Sequence, residues 1–418
     1  MNTNKIWLVL GLLAIGLMAT SCSQDGPESP DSKPIPRNAI TLTANTRAAA
    51  DALVDFYSKF TIDMAKFAKE SYVDSKSNFV VSPISAAMVL SMAANASDEN
   101  VKKAYCRYIG VDDIESLNEL SRILIEKLPI ADNTSSFNIG NSIWVNSTYD
   151  IKLTDEFHNI VTSKYLATTR NLNFGNTEAI KELNEWCASI TNNKITNYFK
   201  DISPATYAIL LNSIYFNGKW CDDIFDSSRT QAAIFHGLDG DSSPLTMESV
   251  LTEGLYASDG TFESFTLSFG NKAYNLEIIL PVQNAASTSN IELTAERITN
   301  LRKSYTTASI KTFLPKFSVM SNSNLNEMLE AINLEVLTLP GYKMFTKSIE
   351  GAIQFNQTAS LTIDESGAEA ASVTSGSMDP IAPEPMKEIV MKVDRPFYFF
   401  IREYSTDACI VSGRICNL

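Results

Sequence analysis

Two histidines, His158 and His236, are the whole imidazole supply of the chain. Any Ser-His-Asp relay must run through one of them. His158 lies in "TDEFHNIV" and reads as a surface-helix residue, while His236 in "AIFHGLDGD" sits beside a turn. A hydrolase would need a nucleophile in a cleft beside one or the other. The motifs that accompany enzymatic chemistry are missing: no G-x-S-x-G elbow, no Walker loop, no H-E-x-x-H and no G-x-G-x-x-G. Two histidines leave no multi-histidine metal site, and no cofactor is expected. A net charge of -14, a pI near 4.8 and no basic cluster speak against nucleic acid as a partner.

Six cysteines offer thiol chemistry. Cys22 closes "MATSC", behind Lys5 and an apolar run from Ile6 to Ala19. That run is too short to span a bilayer as a mature helix and suits a signal-peptide core. It resembles a bacterial lipoprotein signal, in which the Cys becomes the lipidated first residue; Ala19 stands where such signals usually carry Leu. Simple secretion is the alternative. Residues 1–21 are expected to be a signal peptide. Residues 22–49, with Pro27, Pro30, Pro34 and Pro36 among polar residues, read as a lipidated Cys and a flexible tether. Five thiols then remain, Cys106, Cys187, Cys221, Cys409 and Cys416, an odd number that cannot pair completely. In one extended strand Cys409 and Cys416 would lie roughly 23 Å apart at about 3.3 Å per residue, too far to bridge. Buried free thiols are expected.

One stretch carries a contradiction rather than a catalytic group. "DESGAEAASVTSGSMDP", residues 364–380, is rich in Ser, Gly and Ala, the composition of an exposed loop. Counting in twos gives Ala368, Ala370, Ser372, Thr374, Gly376 and Met378, none of them charged; Glu369 and Asp379 fall on the other parity. That is the period of a strand with one buried face.

The rest of the chain must position this stretch. Its 418 residues are 44% hydrophobic and 20% charged, enough for a sizeable core. Leu53, Phe56, Phe60, Met64 and Phe67 step by three and four, an amphipathic helix. "NFVVSPISAAMVLSMAANAS" has no charge, and Ser82 before Pro83 is a helix start that predicts a core helix. Ile180, Leu183, Cys187 and Ile190 mark another amphipathic helix. "YAILLNSIYF" and "NLEIILPV" are continuous apolar runs suited to central strands. "EIVMKVDRPFYFFIRE" and "ACIVSGRIC" flank a polar turn, a terminal hairpin. Helices and strands without strict alternation indicate an α+β fold.

In this order the segments resemble a serpin over nearly all of residues 50–418. "NFVVSPISAAMVLSMAANAS" is similar to the family's strand and second helix, with Ser82, Pro83 and Ser85 at the shutter positions. "LNEWCASITNNKITNYF" matches its helix-F segment, including Asn184, Trp186, Thr191 and Ile195. "LLNSIYFNGKW" matches the central strand, with Asn212 in the shutter and Trp220 at the breach. "LPKFSV", "VDRPFYFFIRE" and "SGR" supply the C-terminal signatures. At the shutter position usually held by His stands Gln357, whose amide still offers a donor and an acceptor for bridging to Ser82 and Asn212 but has no titration.

The resemblance implies a serpin domain over residues 50–418 with about three β-sheets, eight to nine helices and an exposed reactive-centre loop at about residues 365–388. It implies no catalytic group of its own. The protein would be a suicide substrate for serine proteases, with cysteine proteases as a further class, holding the target in a covalent complex. After cleavage the loop would enter the main sheet, with small inward residues easing its entry. Glu365, Gly367, Ala368, Glu369, Ala370, Ala371 and Ser372 form the expected hinge, with Gly367 as its pivot. The family's span of about seventeen residues from the hinge Glu places the reactive bond at Ile381–Ala382, in which case the target is elastase- or subtilisin-like. Met378–Asp379 and Lys387–Glu388 are the alternatives. A non-inhibitory serpin fold, cut without trapping, is the other reading. The expected state is an exported monomer, an outer-membrane or cell-surface lipoprotein touching the membrane only through its lipid, or alternatively a secreted protein.

Overall fold

The computed structural model describes residues 38–71, 78–283, 292–334, 342–347, 353–367 and 386–418. The first helix, α1 (Ala44–Ser71), buries Leu53, Phe56, Phe60 and Met64 as their spacing predicts. It starts earlier than the apolar stripe, occupying residues 44–49 of the stretch read as tether, with Ile40 and Ala49 already buried. The reason is local: "ANTRAAADA" is rich in alanine, which favours helix without an apolar stripe to announce it.

β1 (Phe79–Val81) leads into α2 (Pro83–Asn95). Ser82 caps this helix, its Oγ accepting from Ser85 N at 3.3 Å, and Pro83 occupies the first turn. All residues from Pro83 to Ala94 are buried, which explains a helix with no polar face. α3 (Glu99–Ile109) and α4 (Ile114–Lys127) follow, capped by Asp98 and Asp113. β2 (Ser136–Asn146), α5 (Asp155–Lys164), β3 (Thr168–Leu172), α6 (Thr177–Ile190) and β4 (Ala208–Asn217) then build half of the main sheet and the helix lying on it.

Short strands β5 (Gln231–Ala232), β6 (Phe235–Gly237), β7 (Gly240–Ser242), β8 (Leu245–Glu248) and β9 (Thr252–Ser258) precede the hairpin β10 (Phe262–Phe269) and β11 (Tyr274–Pro281). After α7 (Ala295–Lys303) come β12 (Thr306–Pro315), β13 (Phe317–Asn324), α8 (Leu325–Ala331) and β14 (Ile353–Ile363). The chain closes with β15 (Glu388–Lys392), β16 (Phe397–Glu403) and β17 (Cys409–Ile415). The last two pair antiparallel, the predicted terminal hairpin.

Among the described residues there are eight α-helices and three sheets, in keeping with the expected α+β architecture. The ten-stranded sheet runs β1-β17-β16-β11-β10-β9-β12-β8-β5 with β15 beside β12, and β6-β7 is a separate hairpin. The five-stranded main sheet runs β13-β14-β4-β2-β3. A large core fills the space around α1, α2 and the inner sheet faces. A second, smaller cluster of Trp144, Phe174, Leu183, Cys187, Phe199, Ile209 and Leu211 lies between α6 and the outer face of the main sheet. Cys106, Cys187, Cys409 and Cys416 are free and buried, and Cys221 is half-buried. Burial pushes the Cys187 and Cys409 thiols up to about 12, so they stay protonated and inert.

Candidate functional site

The two middle strands of the main sheet share only part of their length. β4 and β14 pair in parallel from Ile353↔Ala208 to Thr358↔Ser213. Beyond that point β14 continues to Ile363 paired with β13 alone, and β4 continues to Asn217 paired with β2 alone. The seam is therefore a fork, closed at one end and open at the other. At the crotch the Ser213 and Thr358 hydroxyls bond to each other at 2.9 Å on the outer face.

On the inner face Gln357 is bound to the start of α2. Its Oε1 accepts from Ser82 N at 2.8 Å and its Nε2 donates to Ser82 O at 2.6 Å. A backbone donor and a backbone acceptor together fix which way the amide points. Ser82 Oγ donates to Ser85 Oγ at 2.8 Å. Asn212, Gln357's neighbour across the seam, turns the other way: its Nδ2 donates to Asn141 Oδ1 at 2.8 Å, and Asn141 Nδ2 donates to Tyr165 O at 2.9 Å. Asn212 Oδ1 is buried without a partner among the described residues.

The open end of the fork is spanned by a tight turn. Asp364 and Gly367 exchange backbone hydrogen bonds of 3.0 and 3.1 Å, and Ser366 N donates to Asp364 Oδ1 at 2.8 Å. This turn rests on the chain leaving β4. Trp220 Nε1 donates to Asp364 O at 2.8 Å, Trp220 N to Ser366 O at 3.4 Å, and Lys219 bridges to Gly367. The Trp220 ring is stacked on Phe269 at 4.6 Å, which fixes the platform. Gly367 has φ +114°, and a Cβ there would lie 2.1 Å from Gly218 O and 2.8 Å from Lys219 Cα. Only glycine fits both the angle and the approach.

Glu365 anchors the turn sideways, its Oε2 2.7 Å from Lys316 Nζ and its Oε1 accepting from Thr230 Oγ1 at 2.7 Å. Burial works against its ionisation. The bonds from Lys316, Thr230 and the backbone outweigh burial and hold the carboxyl below the usual range. A carboxylate lowered in the folded state stabilises above its unfolded pKa of about 4.3, and the contribution fades as pH falls through the lower folded value. Glu365→Gln is therefore expected to melt below wild type near neutral pH, with the gap closing below about pH 4. A gap that persists unchanged in acid would mean that the carboxylate is not the anchor.

The geometry now has relatives. A family model described as serpin (serine protease inhibitor) matches residues 56–418. The chain belongs to the serpin family. Bovine serpin A3-1 is 26% identical over 423 aligned positions, covering 98% of this chain and 97% of that protein. A serpin-like protein of Thermococcus kodakarensis is 25% identical, covering 87% and 85%. Among solved structures, the thermophilic serpin tengpin in its native state superposes with a TM-score of 0.74 at 25% identity, covering 93% of this chain and 97% of tengpin. Human thyroxine-binding globulin complexed with thyroxine has the same TM-score, 0.74, at 19% identity, a likeness of fold alone. The serpin family is in general one of protease inhibitors rather than enzymes.

Within this serpin the structure brings Ser82, Pro83, Ser85 and Gln357 together at the seam, and Trp220, Glu365 and Gly367 at the mouth of the fork. It corrects one detail: Gln357 bridges to the Ser82 backbone, and Asn212 is held by Asn141 instead of by Gln357. Asn141, Lys316 and Thr230 went unnoticed in the sequence. For Asn141 a signal existed, a polar residue facing inward in the strand "NIGNSIWVN"; for Thr230 there was none. Ala368, Glu369, Ala370, Ala371, Ser372, Met378, Asp379, Ile381, Ala382 and Cys22 lie outside the described residues. His158 is exposed on α5, and His236 Nδ1 pairs with Asp241 at 2.9 Å on an exposed hairpin.

Proposed function

We propose that this serpin is an inhibitor that traps serine proteases by inserting its cleaved loop between β4 and β14. The observation that carries the reading is the fork itself, with a glycine turn already folded at its mouth. Continuing the Asp364↔Gly367 register down the fork sets Ala368 opposite Ile363, Ala370 opposite Leu361 and Ser372 opposite Ala359. Thr374 then meets Gln357, Gly376 meets Phe355, and Met378 meets Ile353, where β14 begins. Directly opposed residues share a sheet face. These β14 residues are the buried, inward ones, so the uncharged parity of the loop would enter the core and Glu369 would stay outside.

The target attacks the loop through its own nucleophile and forms an acyl-enzyme. Insertion then carries the acylated protease to the far end of the sheet before water can release it. The serpin contributes position and stored strain. A panel of serine and cysteine proteases run on denaturing gels tests the reading. A band at the summed mass is expected with an elastase- or subtilisin-like enzyme; cleavage with no such band throughout the panel would support the non-inhibitory alternative.

The reactive bond is proposed at Ile381–Ala382. Lys387 weighs against the trypsin-like alternative, because Lys387 O accepts from Ser309 N at 3.0 Å and Glu388 already pairs with Ser309 in the sheet. A protease needs an extended substrate free to bind in its cleft, and that bond is held by a neighbouring strand. Met378–Asp379 would leave only the strand itself, with no length to reach beyond Ile353. N-terminal sequencing of the small fragment released from a trapped complex is expected to begin at Ala382. A start at Asp379 or Glu388 would move the bond and the specificity with it.

Export with a lipid on Cys22 is proposed on the "MATSC" signal. Cells fed a labelled fatty acid should label the wild type and leave Cys22→Ser unlabelled; equal labelling would remove the anchor.

A further inference from the structure

One hydrogen bond crosses the β4–β14 seam from outside the sheet. Between α6 and β4 the chain packs Ile195, Phe199 and Ile202 against Trp144, Ile209 and Leu211 on the outer face of the main sheet. Asn184 on α6 holds it there: Asn184 Nδ2 donates to Phe199 O and Phe199 N donates to Asn184 Oδ1, both at 2.8 Å. Phe199 is buried in the small core beneath α6, alongside Ile209 and Leu211 of β4. Next to it, Tyr198 packs edge-on to Phe199 at 4.4 Å and donates its hydroxyl to Asn356 Oδ1 at 3.0 Å. Asn356 belongs to β14 and pairs with Leu211 of β4 across the seam. Tyr198 is thus fixed to the β4 side and holds the β14 side.

We propose that Tyr198 and Asn356 form a clasp across the seam that sets the rate at which a strand enters the fork. The inference rests on the insertion reading above and adds residues that none of the shutter or breach positions includes. Entry of a strand moves β14 away from β4 by one strand spacing, about 4.8 Å. A 3.0 Å hydrogen bond anchored on both sides does not survive that step. The clasp lies two residues below the Ser213–Thr358 pair at the crotch, so it is met after entry has begun and before the seam opens fully.

The chemistry of Asn356 fits a device rather than a packing residue. Its Nδ2 is buried with no partner among the described residues, a cost that an apolar side chain at this position would avoid. In the proposed inserted state, the register continued from the Asp364↔Gly367 bridge would bring Ser375 opposite Asn356 on the same outer face. An arriving serine hydroxyl offers that amide a partner just as Tyr198 releases it. Burial raises the Tyr198 phenol above its ordinary value, so it remains a donor at any physiological pH.

The test uses the full chain and a fluorescent synthetic peptide copying residues 368–378, whose incorporation is followed over time without any protease. Tyr198→Phe and Asn356→Ala are each expected to anneal the peptide roughly two- to tenfold faster than wild type, the change that one net hydrogen bond represents in a rate. The double variant should be no faster than the faster single one. The peptide-bound forms of Tyr198→Phe and wild type should melt together, because the clasp is already broken in both. Equal annealing rates for Tyr198→Phe and wild type overturn the clasp. So do additive effects in the double variant, or a peptide-bound Tyr198→Phe that melts as far below wild type as its free form does, since both describe general loosening. A wild type that takes up no peptide at all overturns the insertion reading, and the clasp with it.

Discussion

Cutting the loop is expected to raise the melting temperature of this serpin by about 10 °C or more. The intact main sheet has β4 and β14 joined over six paired positions and parted beyond them. An inserted strand reaching from Ala368 to Met378 would pair along both, replacing those few bonds with two full ladders. Each added backbone bond contributes about 1 kcal/mol net. A domain of this size needs about eight such bonds to move its midpoint by about 10 °C, and a strand of this length paired on both sides adds more than that beyond the few it replaces. The intact protein is then held by a barrier and not by equilibrium. A nick in an ordinary surface loop lowers stability or leaves it unchanged. Scanning calorimetry on intact and cleaved protein decides the matter: equal midpoints would describe a relaxed protein that does not trap.

Ala368→Arg should turn the inhibitor into a substrate. In the continued register Ala368 is the first inward residue, opposite the buried Ile363, in the part of the fork above Thr358. Burying a guanidinium there without a partner costs several kcal/mol, enough to slow entry by about a hundredfold or more. Deacylation by the target does not slow, so cleaved serpin and free protease accumulate. Gels at equal molar ratios should show the complex band nearly gone and the cleaved band dominant. Undiminished complex with the variant would sink the insertion mechanism while leaving the fold untouched. Glu369→Arg is the control: it lies on the outer parity and should trap nearly as well as wild type.

Much of this molecule was legible in its sequence. The helix from Pro83, the central strand from Ala208 and the terminal hairpin follow from periods and caps that the backbone imposes locally. The two-residue period of residues 368–378 is the same class of signal, on residues that lie outside the described ones, while Gly367 takes the positive φ that its residue type allows. What the tertiary structure alone decided are the long-range partners. Glu365 is held by Lys316 and Thr230, 49 and 135 residues away, and nothing near Thr230 announces it. Gln357 reaches the Ser82 backbone across 275 residues, while Asn212, one strand over, turns to Asn141. A side-chain amide can satisfy its donor and acceptor in many ways, and the sequence carries no preference among them. Where the fork closes is also tertiary: β14 has buried apolar residues on both sides of the crotch, Phe355 and Leu361, as β4 has Leu210 and Ile214, so nothing in either strand's own pattern marks Thr358 and Ser213 as the last pair.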